Sequence, residues 1–343
     1  MIFDPILDIF RGRAITIPPL DGALRPNTAL DEAEVLVEMP APDNLVWSEG
    51  RLLWSSGADL LEMTPDGPVP RATFSAEVTA VAVAADGTLA VASDDGRLNE
   101  AGQEVALPGG VACITALAYG PDGALWLANG SARHPASAWV VDLMEKGATG
   151  SLWRRAAGGA FEKVAGELGW PNGLLPDAAG VTISESWRHC LLRLEGGKAH
   201  PVLRHLPGYP GRLSPAADGG AWLSVFAPRT RLIEFVLLEK QYRYDMMAEF
   251  PADYWIAPAL RSGGSFLEPL QCGGIRTMGV HKAWSPSRSY GLVVRLGPDM
   301  APLASYHSRA NGKRHGVTSA LEAEGRLFMG SKGGDAILTR EAH

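Results

Sequence analysis

The chain has 343 residues, 46% hydrophobic and 20% charged, which is ample material for a large buried core. A net charge of −7 leaves no surplus of Lys and Arg to replace phosphate counterions, which argues against a nucleic-acid partner. No run of 18 apolar residues is present, so no membrane-spanning helix is expected, and 40 Gly with 25 Pro favour short strands and turns.

At the start of the chain, Met1–Arg13 carries Asp4 and Asp8 within its apolar stretch. It lacks the cationic start and small-residue cleavage site of a signal peptide. Cys113, Cys190 and Cys272 are far apart, odd in number and without CxxC spacing. Together these features predict a cytoplasmic protein with buried thiols, and neither a zinc site nor a disulfide scaffold.

Six segments then share one pattern: an alternating apolar strand, a turn ending in Gly, and a second apolar strand. They are residues 43–56, 79–93, 115–129, 172–186, 211–225 and 318–331. Period-two alternation around such a turn is a β-hairpin. Most hairpins are followed by another short apolar run, as in Cys190–Leu194 and Ala336–Arg340. Four strands recurring about every forty residues make a propeller blade, which cannot bury both faces alone. The predicted fold class is therefore all-β, a six-bladed β-propeller occupying residues 1–343 as a single domain. Five or seven blades, or a large β-sandwich, are the alternatives.

Two insertions break the spacing. Residues 130–171 hold an excursion inside the third blade. Residues 229–286 form an inserted cap, in which the stretch from Arg229 to Pro251 is rich in helix formers and predicts the longest helix of the chain. The rest, to Pro286, is rich in Gly, Pro and Ser and reads as irregular. The cap is expected to cover one end of the channel, with Tyr254, Trp255 and Trp284 as apolar walls for a small ligand. A purely structural flap is the other reading.

The repeat also aligns the innermost strands. Counting back eight residues from the turn glycines Gly87, Gly123, Gly180 and Gly219, and seven from Gly50 and Gly325, gives Thr79, Thr115, Asn172, Gly211, Asp43 and Thr318. The following positions are mostly apolar, so these six predict a polar ring at the axis. One carboxylate, one amide and three hydroxyls suit a hard cation, a polar substrate or a water-filled channel. Trp187, Arg188 and His189 follow the second strand of the fourth blade, and His189 is a candidate general base. His134, His281 and His315 lie in loops or insertions, and His315 closely precedes Thr318. Lys332 and Arg212 are candidates for holding an anionic group. No G-x-S-x-G, P-loop, H-E-x-x-H or dinucleotide motif is present.

Trp170–Leu194, with its Pro-Asn-Gly strand and Trp-Arg-His element, resembles the strictosidine synthase-like proteins. So do Trp139–Arg155, which looks like that family's inserted third-blade strand, and the stretches from Pro228 to Leu296 and from Gly316 to Gly334. The likeness extends more distantly to gluconolactonase and paraoxonase hydrolases, which are six-bladed propellers. It implies an axial Ca²⁺ or other divalent ion held by a Glu, two Asn and an Asp. Those positions fall on Asp43, Thr115, Asn172 and Gly211, so only Asp43 and Asn172 match, and the expectation is a weakly held metal. If a metal binds, restoring a ligand by Gly211→Asp is expected to tighten it; if none binds, Arg212 is the natural partner of Asp43, and Gly211→Asp is expected to compete for that arginine and leave Ca²⁺ without effect. The Glu that performs the family's alkaloid-forming condensation falls on Thr318, and Glu322 lies near the far turn, so that condensation is not expected.

These readings favour a hydrolase acting on a lactone or ester of a small polar molecule at the channel mouth. Its catalytic candidates are Asp43, His189, His315 and Thr318. Its substrate-binding candidates are Thr79, Thr115, Arg212, Trp187 and Lys332. A non-catalytic small-molecule-binding propeller is the alternative, and a protein-interaction scaffold is third. A small molecule is the expected partner, and nothing in the sequence specifies an oligomeric state.

Overall fold

Each hairpin read from the sequence forms the inner half of a four-stranded antiparallel sheet. The computed structural model describes residues 17–263, 268, 276–277, 280–281 and 288–342. The first strand, β1 (Glu34–Glu38), belongs to the last blade. Blade 1 is β2 (Pro42–Ser48), β3 (Arg51–Ser56), β4 (Asp59–Thr64) and β5 (Gly67–Thr73). Blade 2 is β6 (Val78–Val83), β7 (Leu89–Ser93), β8 (Leu98–Glu100) and β9 (Gln103–Glu104). Blade 3 is β10 (Ile114–Tyr119), β11 (Leu125–Asn129), β12 (Gly150–Arg155) and β13 (Phe161–Leu168). Blade 4 is β14 (Pro171–Pro176), β15 (Gly180–Glu185), β16 (Cys190–Glu195) and β17 (Lys198–Leu203). Blade 5 starts with β18 (Gly208–Pro215) and β19 (Ala221–Pro228). After the insertion, which holds β20 (Arg276–Thr277) and β21 (Val280–His281), it resumes with β22 (Gly291–Leu296) and β23 (Pro302–Ser308). Blade 6 is β24 (Val317–Ala323), β25 (Arg326–Ser331) and β26 (Ala336–Glu341), completed on its outer edge by β1.

The inner strands β2, β6, β10, β14, β18 and β24 neighbour one another in a closed cycle, which defines the central channel. The ring is shut by pairing across the whole chain: Val35 lies opposite Leu338, and Val37 opposite Ile337. The core lies between blades. In blade 3, Leu117, Leu125 and Leu127 pack against Ala80, Ala90 and Leu98 of blade 2. The alternate residues Ala116, Trp126 and Ala128 pack against Leu174, Val181 and Ile183 of blade 4. Successive strand side chains point to opposite faces, so every blade must be apolar on both. That is why its strands read as near-continuous apolar runs.

Two expectations about the insertions are corrected. The segment from Trp139, expected as a strand, opens with a short helix, α1 (Trp139–Met144), and only Gly150–Arg155 forms the blade strand. The single helix expected from 231 to 250 is two helices, α2 (Arg231–Leu238) and α3 (Lys240–Glu249), broken at Glu239, where φ is −85° and ψ is 84°. α2 is capped by Thr230, whose hydroxyl accepts from the Ile233 N–H at 3.2 Å, and it buries Ile233, Val236 and Leu237. Carried straight on, that face would meet Lys240 and Tyr244. The break rephases the chain so that Arg243 and Met246 point inward instead. Among the described residues no helix is long and apolar enough to cross a membrane. Cys113 and Cys190 are buried and unpaired, and Cys272 lies outside the described residues.

Candidate functional site

All six inner strands carry a β-bulge near their starts. The pairing slips between Asp43 and Val46, Val78 and Ala80, Ile114 and Ala116, Pro171 and Gly173, Pro210 and Leu213, and Val317 and Ser319. The positions skipped include Thr79, Thr115, Asn172, Gly211, Arg212 and Thr318, and Asp43 borders the first slip. A bulged residue leaves the ladder and its side chain is re-aimed. This is the local reason that a polar ring lies at the axis while its neighbours stay in the apolar core.

The ring forms the floor of a cavity of about 250 Å³ at one end of the channel. Asp43, Thr79, Thr115, Asn172, Arg212 and Thr318 all line it, together with Lys332. Asp43 is 5% exposed and lies between two cations. Its Oδ1 is 2.9 Å from Arg212 Nη1 and its Oδ2 is 3.3 Å from Lys332 Nζ. Lys332 also reaches Glu77 at 2.7 Å, and Arg212 donates through Nη2 to the Thr79 carbonyl at 2.7 Å. Burial pulls the Asp43 carboxyl upward. Arg212 and Lys332, with the nearby Thr318 hydroxyl and the Asn44 N–H, outweigh that pull and hold it below its ordinary value of 3.8. Burial likewise opposes the Lys332 charge, but Asp43 and Glu77 prevail and raise its pKa. The floor is therefore a four-membered cluster of ion-paired side chains in which Asp43 and Lys332 are held in their charged forms.

Several polar groups of the floor have no protein partner. The hydroxyls of Thr79 and Thr318 complete no hydrogen bond. Thr115 is different, since its hydroxyl donates to the Pro171 carbonyl at 2.5 Å. The wall opposite is apolar: Trp139, Trp170, Phe226 and Leu260. Trp170 is held in the left-handed region, with φ 57°, a costly conformation for a bulky side chain. It stacks on Trp187 at 5.1 Å, and its carbonyl accepts from the Ser186 N–H at 3.0 Å.

The remaining candidates are placed elsewhere. Trp187 stands behind Trp170, outside the cavity lining, and its indole N–H donates to Asp142 at 2.7 Å. His189 is buried against α2, with Nε2 3.4 Å from Glu234 and Nδ1 3.1 Å from the Gly208 carbonyl. Burial lowers its pKa, and it serves to fix the Arg229–Glu234 pair at the helix start. His315 bonds Ser289 at 2.8 Å and the Arg309 carbonyl at 2.8 Å, so both ring nitrogens are occupied. His134 pairs with Glu145 at 2.8 Å. None of these histidines lines the cavity, because each sits in a loop that turns away from the axis. The side chain of His281 lies outside the described residues. The aromatic wall also differs from expectation. Trp255 is buried in the core that the cap shares with α1 and blade 5, Tyr254 does not line the cavity, and Trp284 lies outside the described residues. The cap contributes Leu260. Glu77, Trp139, Trp170 and Phe226 were missed. Of these only Glu77 had a signal, lying two residues before the ring position Thr79.

A divalent ion does not fit this donor set. The ring's one carboxylate has each oxygen facing a cation, and among the described residues no three acidic, His or Cys side chains cluster. A dication would have to displace a guanidinium and an ammonium from Asp43, and the second carboxylate, Glu77, is paired with the same ammonium. Nor is the missing ligand easily restored. A Cβ at Gly211 would lie 2.6 Å from the Ser224 hydroxyl, which is committed to the Thr318 carbonyl at 2.8 Å. Of the two outcomes expected for Gly211→Asp, metal tightening is withdrawn accordingly.

No protein-family model matches the chain, and no curated protein matches it. Solved structures do. A structural-genomics target assigned as a gluconolactonase is similar with a TM-score of 0.56 at 16% identity, covering 90% of this chain and 91% of that one. A gluconolactonase from Xanthomonas campestris gives 0.54 at 16%, covering 89% and 87%. Regucalcin from Agrobacterium tumefaciens, a calcium-binding protein, gives 0.55 at 16%, covering 90% and 92%. The chain is thus a six-bladed β-propeller whose fold neighbours are of the gluconolactonase and regucalcin type.

Proposed function

We propose that this chain hydrolyses a lactone or ester of a small polar molecule bound in the axial cavity. The observation that carries the reading is the ionised Asp43 between Lys332 and Arg212, facing unpartnered Thr79 and Thr318 hydroxyls beneath an aromatic wall. Water attacks the carbonyl carbon and passes its proton to Asp43. The oxyanion forms against Lys332 and the Thr318 hydroxyl. The C–O bond then breaks, and Asp43 returns the proton to the leaving alkoxide. Because both cations lower its pKa, Asp43 is a weak base, but it is ionised throughout the neutral range. The fold neighbours named as gluconolactonases agree with the reaction class. The Pro-Asn-Gly and Trp-Arg-His elements support a strictosidine synthase-like branch, and the free buried thiols of Cys113 and Cys190 support a cytoplasmic location.

One observation favours a non-catalytic binding protein instead: the axial carboxylate is fully engaged in ion pairs and, among the described residues, no histidine lines the cavity. A panel of lactones and esters, assayed with wild type and Asp43→Asn, separates the two. Turnover lost in Asp43→Asn supports hydrolysis. Binding of panel members without turnover by either protein establishes the binding reading.

A further inference from the structure

The channel has a second cavity, of about 370 Å³, on the far side of the polar ring. All six inner strands wall it with the residues that follow the bulges, among them Val46, Val83, Leu117, Leu175 and Leu321. Trp47 and Tyr119 also line it. Among the described residues no carboxylate lines it, and the one charged residue is Arg212, also the one described residue common to both cavities. Its Nη1 faces Asp43 and the Thr318 carbonyl, and one Nη2 proton goes to the Thr79 carbonyl. A guanidinium carries five N–H donors, so the Nε proton and one Nη2 proton have no protein acceptor among the described residues. Water against the aliphatic part of this concave wall is poorly held, and a ligand that covers that part gains by displacing it.

We propose that this far cavity is a second binding site, for a medium-chain aliphatic carboxylate. The alkyl chain lies along Val46, Val83 and Leu321, and the head meets the free donors of Arg212. A channel with aliphatic side chains from all six blades, one guanidinium and no acid among its described walls complements that ligand in shape and in sign. A cation finds no carboxylate among the described walls, and the polar side chains there are few: Tyr119 is bonded to Glu100 and Ser319 to the Leu45 N–H, which leaves the Ser214 hydroxyl and the Asn44 amide oxygen without a protein partner. Arg212 is shared, so an anion on its far side draws charge away from Asp43. Occupancy of the two cavities is then coupled, reciprocally. The far site exists whichever reaction, if any, the near cavity performs.

Calorimetric titration with octanoate tests it, with octanol as the neutral control. Octanoate is expected to bind one equivalent, and octanol about tenfold or more weaker, since a charged hydrogen bond to Arg212 is lost. Leu321→Glu, at a half-buried rim position, places a carboxylate in the channel and is expected to abolish octanoate binding while the melting curve stays cooperative. Val46→Glu does the same from blade 1 and serves if Leu321→Glu fails to fold. No octanoate binding by wild type, equal binding of octanol, or octanoate binding unchanged in both folded variants would overturn the proposal. The last outcome would place the fatty acid on another apolar surface.

Discussion

At the residue scale the site is governed by how one carboxylate is neutralised. Asp43→Asn leaves Arg212 and Lys332 facing each other with half their countercharge removed. Breaking such a buried pair costs about 3 kcal/mol or more, and the urea midpoint is expected to fall accordingly. Lys332→Met in the same background removes one of the two stranded cations. The double variant is therefore expected to be more stable than the sum of its parts by about 1 kcal/mol; strict additivity would show that the three groups do not act as a cluster. The same pairing predicts the response to metal. A specific ion at a hundredfold excess over its Kd stabilises by about 2.7 kcal/mol, whereas here Ca²⁺ is expected to leave the melting temperature unchanged, and a clear rise would contradict the cationic occupancy of Asp43. Much of this was legible beforehand: counting back from turn glycines found five of the polar floor residues, and Arg212 was read as the natural partner of Asp43. The aromatic wall was not legible. Trp170 and Phe226 reach the axis only through the placing of their strand ends and, for Trp170, a left-handed backbone that no periodicity announces.

At the element scale the fold depends on closing a ring. The inner hairpins declare themselves because each turn and both its strands are contiguous in sequence. β1 does not. Its residues Glu34–Glu38 pair with β26, about three hundred residues later, and no local turn marks the partnership. Bulges are equally silent, since they are a property of pairing and not of one strand. Val37 packs into the cluster formed by Leu52, Trp54, Phe328 and Ile337 at the seam between blades 6 and 1. Val37→Asp would put an unpaired charge there. The expected loss is about 2 kcal/mol, and it should come with concentration-dependent association, because β26 then offers an unpaired edge. Thermal melts and size-exclusion chromatography over a range of concentrations check both. An unchanged melt would mean that β1 is dispensable for closure.

At the scale of the whole molecule, stability should erode in two stages as pH falls. His307 is completely buried on β23, between Tyr290 and Ser305. The Ser305 hydroxyl donates to the Ala23 carbonyl at 2.7 Å, so it must accept from the His307 Nε2–H at 2.7 Å. That leaves Nδ1 bare, accepting from the Tyr290 hydroxyl at 3.1 Å. A second proton has no acceptor in place, and burial pushes the His307 pKa down from 6.5 to about 4. Burial also lowers His189 and His315. For each, the unfolded chain takes up a proton at higher pH than the folded one does. Stability is thus fully present above pH 6.5 and falls on acidification, for His307 until about pH 4. The carboxylates act lower. Burial opposes the Glu234 charge, but His189 and Arg229 more than compensate and bring its pKa from 4.5 to about 2. Its contribution is present above pH 4.5 and is lost as pH falls toward 2, and Asp43, also lowered, behaves alike below 3.8. Chemical denaturation from pH 8 to 3 should therefore show a first decline beginning near pH 6.5, well above the range in which Glu234 and Asp43 act. His307→Gln keeps a donor and an acceptor but cannot titrate. It is expected to start less stable at pH 8, because the ring packs against Tyr290, and to lose less between pH 6.5 and 4 than wild type does. Parallel curves for the two proteins would show that His307 takes no part in the acid response.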